Sequence, residues 1–90
     1  MLMDISFDPA KSDRNGQERG LPFTMAQDFE WDSAVIEEDV RVDYGERRYP
    51  AFGYIGDRLF ALAFTPRAEK IHVISLRKAN SREVKRYAET

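Results

Sequence analysis

The sequence predicts an α+β fold in a single domain spanning residues 1–90: two N-terminal helices, an antiparallel four-stranded meander sheet and a C-terminal helix, in the order ααββββα. Three observations predict it. Helix-start signals stand at Asp8-Pro9, Thr24 and Asn80, apolar runs of strand length fill the middle of the chain, and short turns separate those runs. Strands joined by short turns pair antiparallel, and two helices ahead of the sheet with one behind it can cover one of its faces.

The first helix is expected over residues 9–19. Asp8 is placed to cap it, Pro9 has the backbone angle of a first helical position, and Gly20 stops it. Its interior is almost wholly polar and contains Gly16, so propensity supports it poorly, and a face with Lys11, Asn15 and Arg19 suits contacts better than core. Thr24 with Gln27 forms a capping box for a second, short helix, whose Phe23, Met25, Ala26 and Phe29 supply apolar surface. Ala34-Val35-Ile36 begins the first strand, and an acidic run leads to a turn at Tyr44-Gly45. "RRYPAFGYI" and "RLFALAFT" flank Gly56-Asp57, a two-residue hairpin loop. Pro50 is expected at an edge or a bulge, because a central strand would lose a ladder bond there. "PRAE" turns the chain into a last strand over residues 71–76, whose simple alternation leaves both faces mixed. Asn80 with Glu83 caps the final helix, which carries Val84, Tyr87 and Ala88.

Composition removes most chemistries. There is no cysteine and one histidine, so disulfides and thiolate chemistry are excluded and a metal site would rest on carboxylates; no cofactor is expected. No apolar stretch approaches membrane-spanning length and the N-terminus lacks a secretory pattern, so a small soluble, cytoplasmic domain is expected. No phosphate-binding glycine loop and no nucleophilic serine motif are present. The net charge of -2 conceals a split: residues 1–46 carry 12 acidic and 4 basic side chains, residues 47–90 carry 4 acidic and 10 basic. Such a split is either ordinary surface solvation or a basic patch for a polyanion, balanced by an acidic region that limits indiscriminate binding.

The basic residues fall where a sheet holds side chains firmly. Arg47, Arg48, Arg67, Arg77 and Lys78 all stand near predicted strand ends, and guanidinium forks meet two phosphate oxygens at once. Glu46, two residues before Arg48, is placed to accept a proton from a ribose 2'-hydroxyl while arginines stabilise the charge building on phosphorus. The bland alternatives are a turn carboxylate paired to an arginine, and solvated cations. His72, amid Ile71, Val73 and Ile74, reads first as a packed strand histidine, and Tyr87 as an anchor for the last helix rather than a base-stacking ring.

"FDPAK" with Asn15, Gly20 and Phe23, then "YGERRY", "FTPR" and "ISLRKANSRE" with Tyr87, resembles the BrnT family of bacterial toxins over nearly the whole chain. The resemblance implies a RelE-like ribonuclease fold, RNA cleavage that arrests growth, and neutralisation by a BrnA-type ribbon-helix-helix antitoxin in a complex with two copies of each chain. DNA would be bound only through the antitoxin, and no membrane is involved. The family pattern lands on Lys11, Asn15, Glu46, Arg48, Thr65, Arg67, Ser75, Arg77, Lys78 and Glu83. Relatives often carry a histidine where this chain has Arg19, a departure that implies altered or absent proton transfer.

The reading is therefore a metal-independent endoribonuclease in which the 2'-hydroxyl attacks the adjacent phosphate to give a 2',3'-cyclic phosphate. Its expected catalytic residues are Glu46, Arg48, Arg67, Arg77 and Lys78, with RNA contacts from Lys11, Asn15, Arg47, Lys70, Arg82 and Lys85. The alternative is a catalytically silent module that still binds antitoxin or RNA.

Overall fold

The computed structural model describes residues 4–37 and 45–90, and its centre is a five-stranded mixed sheet. The strands are β1 (Ile5–Phe7), β2 (Val35–Ile36), β3 (Tyr49–Ile55), β4 (Arg58–Arg67) and β5 (Lys70–Lys78), in the spatial order β1-β5-β4-β3-β2. The neighbours from β2 to β5 are antiparallel, but β1 runs parallel to β5, with Ile5 opposite Ile71 and Phe7 opposite Val73. This corrects the expected RelE-like four-stranded antiparallel meander. The reason is physical: three residues are too few to display an alternating pattern, and a parallel partner is never the neighbour across a tight turn.

The helices also differ from expectation. Helix α1 (Pro9–Arg19) forms as the caps dictate: the Asp8 carboxylate accepts from the Ala10 and Lys11 amides, and Gly20 closes the end at φ 70°. The second helix, however, is a 3-10 helix over Phe23–Asp28, entered from Pro22 with no side-chain cap, and another 3-10 turn follows at Trp31–Ser33. Its buried residues Phe23 and Ala26, with Phe29 just beyond it, recur every third residue, which suits three residues per turn rather than 3.6. Helix α2 (Ser81–Ala88) carries the full capping box, Asn80 Oδ1 accepting from the Glu83 amide and Glu83 Oε1 from the Asn80 amide. Instead of sharing a face with the N-terminal helices, α2 lies on the opposite one, where Tyr87 packs edge-on against Tyr54 and donates to the Ser33 carbonyl at 2.7 Å.

A bulge decides which residues face the core. Ala63 stands opposite Ser75 but Phe64 stands opposite Val73, so Ile74 is an extra residue in β5 and the alternation changes phase there. Ile71, Val73 and Leu76 thereby join Phe60, Leu62 and Phe64 of β4 on one face, under Leu21, Phe23, Ala26 and Phe29. The other face receives Lys70, His72, Ser75 and Arg77 from β5 and Ala61, Ala63, Thr65 and Arg67 from β4. On the core face the Phe29 ring rests directly on β3: a Cβ at Gly53 would come 2.6 Å from Phe29 Cζ. Pro50 is not at an edge, since β2 flanks β3 there. It is opposite Ala63, and its carbonyl accepts from Glu37 beside the two-residue β2, so its missing donor faces that short outer strand.

Candidate active site

One end of the second face lies beside α2, whose Tyr87 packs on Tyr54 of β3 and whose Glu83 holds Arg77 of β5. The other end, where β4 turns into β5, gathers the chemistry. The turn residues Ala68 and Glu69 both adopt positive φ, at 50° and 64°, the twist that lets a two-residue loop join strands closely. It closes the pair Arg67 and Lys70, setting two cations side by side. One step inward Thr65 is opposite His72, and β1 places Ser6 beside His72 from the other flank. Ser6 Oγ and His72 Nδ1 share a hydrogen bond at 3.0 Å. The segment entering β3 brings Glu46, whose carboxylate accepts from Arg67 Nη2 at 3.0 and 3.3 Å, and half-buried Arg48.

The electrostatics of this cluster act on the imidazole. Burial first, and then the Arg67 charge, hold the His72 pKa below the ordinary histidine value, with Glu46 pulling the other way. A neutral imidazole is thus fixed by Ser6 next to a carboxylate-guanidinium pair, an arrangement that can accept a proton and hold an anion within one site.

The expected site residues divide into separate groups. Glu46, Arg67 and Lys70 come together, while exposed Arg47 and half-buried Arg48 follow Glu46 on the segment that enters β3. Arg77 and Lys78 stand at the far end of the sheet: Arg77 is opposite Ala61, six residues from Arg67 along β4, or roughly 20 Å at the rise of a strand. Arg77 is also engaged, donating to both Glu83 oxygens at 2.7 and 2.8 Å, and Lys78 is exposed on the core-side register. Arg82 and Lys85 are exposed on α2. On α1, Lys11 is exposed and its charge reaches His72. Asn15 uses its amide to bind the Leu21 and Leu76 carbonyls at 2.6 and 2.9 Å, which ties α1 to β5. Arg19 is exposed at the last turn of α1.

Sequence reasoning weighed His72 and read it first as a packed strand histidine, and it passed over Ser6. The signal for His72 was its rank as the sole histidine beside the basic strand ends; Ser6 became visible only once β1 was placed. The acidic loop at residues 38–43 and Tyr44 lie outside the described residues. Among the described residues no three carboxylate, imidazole or thiol side chains converge as a cation site, and no helix is long and apolar enough to cross a membrane.

The family model for the BrnT ribonuclease toxins of type II toxin-antitoxin systems matches residues 7–83. The chain belongs to the BrnT family. Comparisons with curated proteins and with solved structures give no match. That family is one of ribonuclease toxins of type II toxin-antitoxin systems and implies an antitoxin partner, and the BrnT match runs from the last residue of β1 to Glu83, so it includes every residue of the open cluster except Ser6.

Proposed function

We propose that this BrnT toxin is an endoribonuclease that cuts RNA at the open end of the sheet without help from a metal ion. The ribose 2'-oxygen forms a bond to the adjacent phosphorus as the bond from phosphorus to the 5'-oxygen breaks, leaving a 2',3'-cyclic phosphate and a 5'-hydroxyl. Glu46 takes the 2'-hydroxyl proton, solvent water supplies the proton to the departing 5'-oxygen, and Arg67, already fixed against Glu46, stabilises charge on the phosphoryl oxygens together with Arg48. The observation that carries this reading is the Glu46–Arg67 pair lying open beside His72. Arg77 and Lys78 then act as more distant phosphate contacts along the same strand, with Lys70, Arg47, Arg82 and Lys85 extending the basic surface. The partner is a BrnA-type ribbon-helix-helix antitoxin, in a complex with two copies of each chain that meets DNA through the antitoxin, and the toxin acts in the cytoplasm.

One observation favours a second reading. Arg67 and Arg77 each already hold a carboxylate, Glu46 and Glu83, which is what a catalytically silent relative that binds only its antitoxin would retain. Incubating total RNA with the purified chain in excess EDTA separates the two. Cleavage is expected, with cyclic phosphate ends, and Arg67→Ala or Glu46→Gln is expected to lower the rate by about 100-fold or more. A folded chain that leaves RNA intact both alone and with ribosomes present would establish the silent reading instead.

A further inference from the structure

Strand β1 accompanies β5 only as far as Val73, and the bulge at Ile74 follows at once. Beyond that point α1 takes the place of a strand neighbour, tied to β5 by the Asn15 amide on the Leu76 carbonyl. Between them a cleft of about 200 Å³ opens, with Ile74, Ser75 and the edge of Phe23 on one side and Lys11, Arg14, Asn15 and Glu18 on the other. Those four side chains stand at i, i+3, i+4 and i+7 of α1, one face of a helix.

Their order gives the cleft two chemically different ends. Lys11 and Arg14 make one end cationic; among the described residues neither has an ion-pair partner, nor has Glu18. The other end accepts hydrogen bonds. Both Asn15 amide hydrogens are used on carbonyl oxygens, which turns Oδ1 outward as an acceptor, and the Glu18 carboxylate stands one turn further on. Half-buried Ile74 supplies apolar surface in the cleft. A phosphate end, an apolar contact at Ile74 and an acceptor end match one nucleotide of an unpaired strand, whose base is free to be read along its Watson-Crick edge. Ser75, which lines the cleft, shares a face of β5 with His72, which places the cleft beside the open cluster.

From this we infer that the cleft between α1 and the bulged edge of β5 is a nucleotide subsite for single-stranded RNA adjoining the cleaved bond. The inference rests on the ribonuclease reading and adds a base preference to it. Phosphate oxygens lie on Lys11 and Arg14, the base covers Ile74, and its donors point to Asn15 Oδ1 and Glu18. Guanine presents two neighbouring donors, N1-H and the 2-amino group, and so complements a carboxylate best. Uracil presents a single one.

The test uses short 2'-O-methyl RNA strands, which 2'-hydroxyl attack cannot cut, with either guanine or uracil at the varied positions, and follows binding to the whole chain by fluorescence anisotropy. The wild type is expected to prefer the guanine strand. Arg14→Ala should weaken both strands by about 5- to 10-fold and flatten the salt dependence by about one counterion. Glu18→Gln should remove the guanine preference while leaving the uracil strand bound as before. Arg14 and Glu18 are both exposed, so neither change threatens folding, and Arg86→Ala on α2 serves as a variant with unaltered binding. A wild type indifferent to the base, or an Arg14→Ala chain that binds like the wild type, overturns the subsite even where total RNA is still cut. A folded chain that neither binds nor cuts RNA overturns the subsite and the ribonuclease reading together.

Discussion

His72 shows how one side chain links the site to the stability of the fold. Its folded pKa is held below the usual 6.5, so between those two values the unfolded chain binds more protons than the folded one. The stability tied to neutral His72 is therefore complete above about pH 6.5 and is lost as pH falls through the folded value. Replacing it by Gln, which keeps a hydrogen-bonding group toward Ser6, should flatten the pH dependence of unfolding below pH 6.5. Urea titrations at pH 5 and pH 7.5 read this directly, and an unchanged slope would show the imidazole to be uncoupled. In the sequence the same residue looked like part of an apolar strand. Of the neighbours that give it chemistry, Thr65 and Arg67 lie across the β4–β5 hairpin, whereas Ser6 and Glu46 are distant along the chain and reach it only through the fold.

Among the elements, β5 and α2 are joined by a lock that serves two purposes. Glu83 receives both nitrogens of the Arg77 fork while its own side chain also caps the helix. The Arg77 hydrogen bonds, aided by the Asn80 amide, lower the Glu83 pKa from 4.5 to about 2. Its stabilisation is thus present above about pH 4.5 and disappears as pH falls toward 2. Glu83→Gln should cost about 1–3 kcal/mol near neutral pH, and a following Arg77→Met should then add little, since the two residues share one interaction. Thermal unfolding of the single and double variants checks this, and fully additive losses would contradict it. Local signals had made this end legible: the Asn80–Glu83 box, the Asp8-Pro9 start and the Gly56-Asp57 hairpin are each written within a few residues. The bulge at Ile74 is not, because only the registers of Ala63 and Phe64 reveal that one residue of β5 is surplus. That is why simple alternation left the last strand with two mixed faces.

For the molecule as a whole, the charge split along the sequence turns into a division of labour within the fold. The basic second half forms β3, β4 and β5, whose open end displays Arg67 and Lys70, while α1 from the acidic half lends Lys11 and Arg14. The expectation of one basic site was too compact, since the sheet separates Arg67 from Arg77 by most of its length. The parallel strand is the other lesson of this scale. Ser6 and His72 are 66 residues apart, so β1 closes the largest loop in the sheet and is expected to dock after the antiparallel strands have formed. Phe7→Leu, which weakens the edge-on contact with Phe23, should cost about 1 kcal/mol. Stopped-flow measurements should find most of that loss in faster unfolding and little in slower folding.

Docking order has a consequence for the cell that makes the toxin. His72 is translated 66 residues after its hydroxyl partner Ser6, so a ribosome that stops between them releases a chain with Ser6 in place and nothing for it to hold. Fragments of a poison are a hazard only when they keep the poisonous part. Here β1 and the sequence-distant β5 must both exist before the cluster does, so synthesis interrupted between them yields pieces lacking the assembled site.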